Sequence, residues 1–148
     1  MAAGQRCGST LVQRLLSSHP DVLIWGEHGG QLRPMLSAMS RMKVWADEDG
    51  LEAREAFAAD GYQSFMANLT PEAKHIDDAT RQFMRALFEE RAAAHGKPIW
   101  GIKEVRYGLA EARAIHNLFP DAVVVSLVRD PRDILRSVAD QLSDPVSE

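Results

Sequence analysis

At 148 residues, 45% hydrophobic and 26% charged, the chain has the length and composition of one globular domain with a single core. Its 17 lysines and arginines against 21 aspartates and glutamates leave a net charge of -4, which gives no support to a general nucleic-acid or anionic-membrane surface, so any anion site must be local. The lone Cys7 can form no internal disulfide and has no companions for a zinc site, no run approaches the ~18 apolar residues of a spanning helix, and no secretory leader is legible, so a cytoplasmic setting is the simplest expectation.

From Ser9, the apolar residues Leu11, Val12, Leu15 and Leu16 recur at helical spacing until Ser17, Ser18, His19 and Pro20 stop the pattern, which predicts a buried first helix. The run Val22 to Trp25, closed by Gly26 and Glu27, reads as a buried strand with polar residues at its tip. Residues 29 to about 95 read as helical, with Pro34 near a helix start or bend. Within them Phe83, Met84, Leu87 and Phe88 form an apolar stripe, and Gly96 with Pro98 supplies the stop. "PIWGIKE" then reads as a strand, "LAEARAIHNLF" as a helix, "DAVVVSLVRD" as a buried strand and "PRDILRSVADQL" as a helix with Ile134, Leu135, Val138 and Leu142 on its core side. Helices alternating with strands predict an α/β fold around a parallel sheet.

Two segments carry anion chemistry. In "QRCGST" a helix opens directly after a glycine, so its unpaired amides and partial positive charge face whatever lies before it. Gly8 permits close approach of the backbone, Ser9 and Thr10 add hydroxyls, and Arg6 adds a forked cation; equally, Ser9 or Thr10 merely caps the helix and Gly8 makes a turn. A triphosphate-binding loop needs a lysine after its second glycine, where Ser9 stands, and the G-x-G-x-x-G dinucleotide pattern is absent. In "VVVSLVRDPRDILRS", Arg129 ends a strand-like run, Asp130 and Pro131 suit the cap and first position of a helix, and Ser137 lies on that helix's flank. Arg129 and Ser137 can share one anion; the plain alternative pairs Arg129 with Asp130 or Asp133.

These residues resemble the sulfotransferase superfamily that uses 3'-phosphoadenosine 5'-phosphosulfate (PAPS). Arg6, Gly8, Ser9 and Thr10 match its 5'-phosphosulfate loop, and Arg129 with Ser137 eight positions later matches its 3'-phosphate motif. "HPDV", "GE" at 26 to 27 and the lysine of "WGIKE" extend the likeness, which looks more like the tyrosylprotein and carbohydrate sulfotransferase branch than the small-phenol enzymes.

The resemblance implies a P-loop-NTPase-like three-layer sandwich with a central parallel sheet and a helix-rich insertion between strands. Residues 1–148 would form a single sulfotransferase-like domain lacking part of the first strand and the C-terminal portion, since only "MAAGQ" precedes the first loop. It implies Arg6 and the amides and hydroxyls of Cys7, Gly8, Ser9 and Thr10 on the 5'-phosphosulfate, and Arg129 with Ser137 on the 3'-phosphate. Glu27 becomes the general base, with His28 a weaker substitute, and Lys103 the cation on the transferring sulfuryl group; the plain readings are a solvated loop carboxylate and a surface lysine paired with Glu104. No metal is implied. The acceptor is a hydroxyl on a small molecule, a carbohydrate or a protein tyrosine. A non-catalytic nucleotide-binding or interaction module derived from such an enzyme is the alternative, and a kinase-like enzyme is disfavoured by the missing lysine. Trp25, Trp45 and Trp100 are expected in the core, and His75, His95 and His116 lack metal-ligand spacing.

Overall fold

A computed structural model describes residues 6–143, with side chains through Gln141. The expected lack of a leading strand at residues 1–5 and the core role of the Leu142 side chain lie outside the described residues. The chain divides into two compact units, Met1–Gln31 with Leu87–Glu148, and Leu32–Ala86. The second unit therefore lies, in sequence, between the two strands of the first.

In the first unit, helix α1 (Ser9–Ser17) leads into strand β1 (Val22–Trp25), which pairs in parallel with β2 (Ile99–Ile102). The register sets Val22 against Ile99 and Trp25 against Ile102, so both strands deliver their next residues to one sheet edge. Gly101 lies opposite Ile24, where a Cβ would come within 2.8 Å of the isoleucine Cδ1. Phe88, Ala92, Tyr107 and Leu118 form the buried core of this unit. Trp100 stacks on Phe88 with centroids 5.9 Å apart and meets Phe119 edge-on, while the Trp25 indole N–H donates to the Phe88 carbonyl at 3.1 Å; each large ring thus has an apolar face covered and, for Trp25, its polar edge satisfied.

The helical unit holds α2 (Leu32–Asp47), α3 (Asp49–Asp60), a 3-10 turn (Gly61–Gln63) and α4 (Ala73–Met84). Pro34 is the third residue of α2, where no intrahelical donor is lost. Arg54 ties this unit from within, donating to the carbonyls of Thr70 and Ala46, each at 3.0 Å. From α4 the chain runs through a π-turn (Arg85–Glu89) into α5 (Glu90–Ala94). The buried positions Ile76, Thr80, Met84, Phe88 and Ala92 recur every fourth residue. Gly96, at φ 70°, ends the run as expected, with Gly96 N–H on the Ala93 carbonyl and Lys97 N–H on that of Ala92. Helix α6 (Leu109–Leu118) and helix α7 (Pro131–Ser143) complete the chain.

Five expectations require correction. Residues 122–130 belong to no ladder among the described residues, and Val123 and Val128 are 87% and 93% exposed, so the run expected as a buried strand is neither paired nor buried among them. An apolar β-prone run records suitability for burial, but a strand exists only where a neighbour completes its ladder. Helix α1 is amphipathic but not buried: Leu11 and Leu15 are exposed and only Ser9 is buried. Its polar residues face the strand instead, Gln13 Nε2 donating to the Ile24 carbonyl at 2.9 Å and Ser17 Oγ accepting the Ile24 N–H at 3.1 Å. In α7, Leu135 is exposed while Ile134 and Val138 are half-buried. Of the stripe on the third long helical run, Met84 and Phe88 are buried but Phe83 and Leu87 are about half exposed, as is Trp45.

Candidate active site

The orientation of α1 follows from its bonds to Ile24. Gln13, nearer the helix start than Ser17, also lies 3.8 Å from where a Gly26 side chain would begin, beyond the strand's end. The helix therefore runs antiparallel to β1, and its N-terminus points toward the edge that carries Glu27 and Lys103. There Gly8 is the cap residue in left-handed conformation (φ 90°), with no side-chain cap and no acidic residue in the first turn. A Cβ on Gly8 would meet nothing within 4 Å. Arg6 is also left-handed (φ 64°), a conformation uncommon for a residue with a side chain.

The Arg6 Nε donates to Ser137 Oγ at 2.9 Å, and the Arg129 guanidinium donates to the Arg6 carbonyl at 2.9 Å. The two loops, 131 residues apart between Arg6 and Ser137, are thus in direct contact. Among the described residues neither guanidinium has a carboxylate partner, so two permanent positive charges stand together beside a serine hydroxyl. The pairing expected as the plain alternative is taken by other residues: Asp130 pairs with Arg132 at 2.7 Å and Asp133 with Arg136 at 3.6 Å. Asp130 also accepts the Arg132 N–H at 2.8 Å, and Pro131 is the first helical residue, as the capping pattern predicts.

At the strand tips, β2 continues its ladder by one bond, Lys103 N–H to the Trp25 carbonyl at 2.9 Å. That bond fixes Lys103 beside the end of β1. Its side chain is not a surface group: the residue is 5% exposed, and Nζ bonds Glu27 Oε1. Arg106 donates to Glu27 Oε2 at 2.9 Å and to Glu104 Oε1 at 3.0 Å. Glu104 is 1% exposed, and its carboxylate also accepts the backbone N–H groups of His28, Gly30, Val105 and Arg106 at 2.7 to 3.2 Å. Gly29 and Gly30 are consecutive left-handed residues, and a Cβ on Gly30 would come within 3.1 Å of the Arg106 Cδ. Glycines here let the loop wrap the carboxylate and admit the arginine.

The electrostatics follow from these bonds. The Lys103 ammonium, with Arg106 assisting against a partial burial penalty, holds the Glu27 carboxyl below the usual carboxylate range. Burial works to raise Glu104, but the Gly30 amide, the Arg106 guanidinium and the other N–H donors outweigh it, so this group too is lowered. His28 is half-buried with its ring edge-on to Phe88 at 4.9 Å, and its buried Nδ1 has no hydrogen-bond partner among the described residues.

A family model described as the sulfotransferase family matches residues 3–145. The chain belongs to the sulfotransferase family. Comparison with curated proteins returns no match. The helix-rich α/β structure with a small parallel sheet is consistent with a sulfotransferase, P-loop-like fold, and membership makes sulfuryl transfer the general chemistry to be explained.

The structure brings Arg6, Arg129 and Ser137 into one group and Glu27 with Lys103 into another. Gly8, Ser9 and Thr10 open α1, with Ser9 buried and Thr10 exposed, while Cys7 is half-buried in the loop. Sequence reasoning missed Glu104 and Arg106. The available signal was their position in the loop opened by Lys103 after β2, on the edge where ligands of open α/β sheets gather. Among the described residues no group of His, Cys, Asp or Glu is arranged to hold a metal ion, and no helix is long and apolar enough to cross a membrane.

Proposed function

We propose that this sulfotransferase-family chain moves a sulfuryl group from PAPS to a hydroxyl acceptor, and that Arg6, Cys7, Gly8, Ser9, Thr10, Arg129 and Ser137 hold the donor. The carrying observation is the junction of the two basic loops, where Arg6 bonds Ser137 and Arg129 bonds the Arg6 carbonyl without a carboxylate to neutralise either cation. Two uncompensated guanidiniums beside a helix N-terminus form an environment in which phosphate or sulfate is the natural counter-charge. The Arg6 η nitrogens make no bond among the described residues and supply the donors for the 5' end, while Arg129 and Ser137 serve the 3' end. In this reading the parallel strand pair belongs to a three-layer sandwich of the P-loop-like kind, and the acceptor preference follows the tyrosylprotein and carbohydrate branch.

Glu27 takes the proton from the acceptor hydroxyl as that oxygen bonds sulfur and the bond from sulfur to the bridging phosphate oxygen breaks. Lys103, whose ammonium has three donors and uses one on Glu27, directs another at the transferring sulfuryl oxygens and offsets their charge. The departing 3'-phosphoadenosine 5'-phosphate keeps the electron pair, and the Arg6 loop stabilises it. Mass-spectrometric detection of sulfated product across hydroxyl acceptors tests the reading: the wild-type protein forms product, and Glu27→Gln loses about a hundredfold or more in kcat while still binding 3'-phosphoadenosine 5'-phosphate. One observation favours a binding-only module: two cations on Glu27 make it a weaker base than a free carboxylate. Nucleotide binding by the wild-type protein with no transfer to any acceptor would decide for that alternative.

A further inference from the structure

The Glu104–Arg106 pair is assigned no part in the reaction above, yet it is the most heavily bonded polar feature of this edge. A carboxylate that is 1% exposed normally has to be justified by its partners, and this one receives four backbone N–H groups and a guanidinium. Those amides come from both sides of the site: His28 and Gly30 follow Glu27 in the chain, while Val105 and Arg106 follow Lys103. Glu104 therefore fixes the two loops that carry the proposed base and the proposed cation. Arg106 extends from that anchor to Glu27, one Nη1 within 3.0 Å of Glu104 Oε1 and 2.9 Å of Glu27 Oε2. Lys103 occupies the other carboxylate oxygen, Oε1, so Glu27 is held at both ends.

We propose that Arg106, anchored on buried Glu104, is a positioning residue that sets the orientation of the Glu27 carboxylate for proton abstraction. The role rests on Glu27 being the base. A carboxylate held by Lys103 alone can rotate about that one contact; Arg106 adds a second fixed point, and the planar guanidinium reaches two carboxylates at once where an ammonium would not. The charged groups around Glu27 are Lys103, directly after β2, with Arg106 and Glu104 in the loop that follows, and the titratable neighbour is His28.

The test compares Arg106→Gln and Arg106→Lys with wild type in kcat, KM for donor and acceptor, the pH profile of kcat, and calorimetric binding of 3'-phosphoadenosine 5'-phosphate. In Arg106→Gln, kcat falls about tenfold to a hundredfold while donor KM and nucleotide affinity stay within about twofold, because the geometry of the base is lost and the donor site is not. The acid limb of kcat moves to higher pH, since a cation that favours ionised Glu27 is gone. Arg106→Lys restores much of the limb and less of kcat. Glu104→Gln, which keeps one acceptor oxygen but turns an NH2 group toward the amides that bond the other, lowers kcat in the same way with Glu27 and Arg106 intact. An Arg106→Gln protein that binds the nucleotide and shows wild-type kcat and acid limb overturns the positioning role alone. A wild-type protein that binds no nucleotide and transfers nothing overturns the functional reading beneath it.

Discussion

Lys103 and Glu27 stand 76 positions apart in the chain and meet because parallel pairing brings two strand ends together. Their pairing makes a statement about pH. Glu27 is ionised more readily in the folded protein than its ordinary value of about 4.3 allows, so its stabilising contribution is complete above that value and disappears as pH falls through the lower folded value. Urea unfolding followed from neutral pH into the acid range should show less loss of stability in Glu27→Gln than in wild type over that window; identical slopes would mean that the pair contributes nothing. Glu27 and Lys103 could be singled out in the sequence chiefly through the family resemblance, to which their place after a short apolar run adds little. Their mutual bond could not, since it depends on register across a sheet whose partner strands are separated by a helical unit. Glu104 was still less legible: a buried carboxylate among charged neighbours looks like any surface acid until the amides that converge on it are known.

Elements were legible where a local pattern alone decides them. The Asp130–Pro131 start of α7, the Gly96 stop and the strands at Val22–Trp25 and Ile99–Ile102 all follow from adjacent residues. Asp130→Ala should lower stability by about 1 kcal/mol through loss of the cap, read as a lower urea midpoint. Gly50 belongs to a different class, because its need for glycine arises from a distant contact: a Cβ there would lie 2.5 Å from the Thr70 Cγ2 and 3.3 Å from the Trp45 carbonyl oxygen. Gly50→Ala is expected to cost about 1 to 3 kcal/mol by overpacking, and thermal melting that matches wild type would refute the contact. The run at 123–128 departs from expectation because apolar, β-branched composition favours a strand without supplying a described neighbour to pair with it. Helix α1 was misread in a related way, since amphipathicity defines a face without saying which face the neighbouring strand will take.

At the scale of the molecule, the first unit exposes Leu11, Leu15, Val123, Val128 and Leu135. Large apolar groups in this number bind hydrophobic dyes and promote association. The protein should therefore enhance the fluorescence of an anilinonaphthalene dye, and combined Leu15→Gln and Leu135→Gln should reduce that signal about twofold or more without altering nucleotide binding. The sulfotransferase reading depends on a different property of the same unit, the convergence of Arg6 with Arg129 and Ser137. Calorimetric comparison of 3'-phosphoadenosine 5'-phosphate with adenosine 5'-monophosphate tests it most directly. Wild type should prefer the 3'-phosphorylated nucleotide by about tenfold to a hundredfold, and Arg129→Ala should erase that preference, with Ser137→Ala reducing it in part. Equal affinity for the two nucleotides in wild type, or a preference that survives Arg129→Ala, would contradict the account.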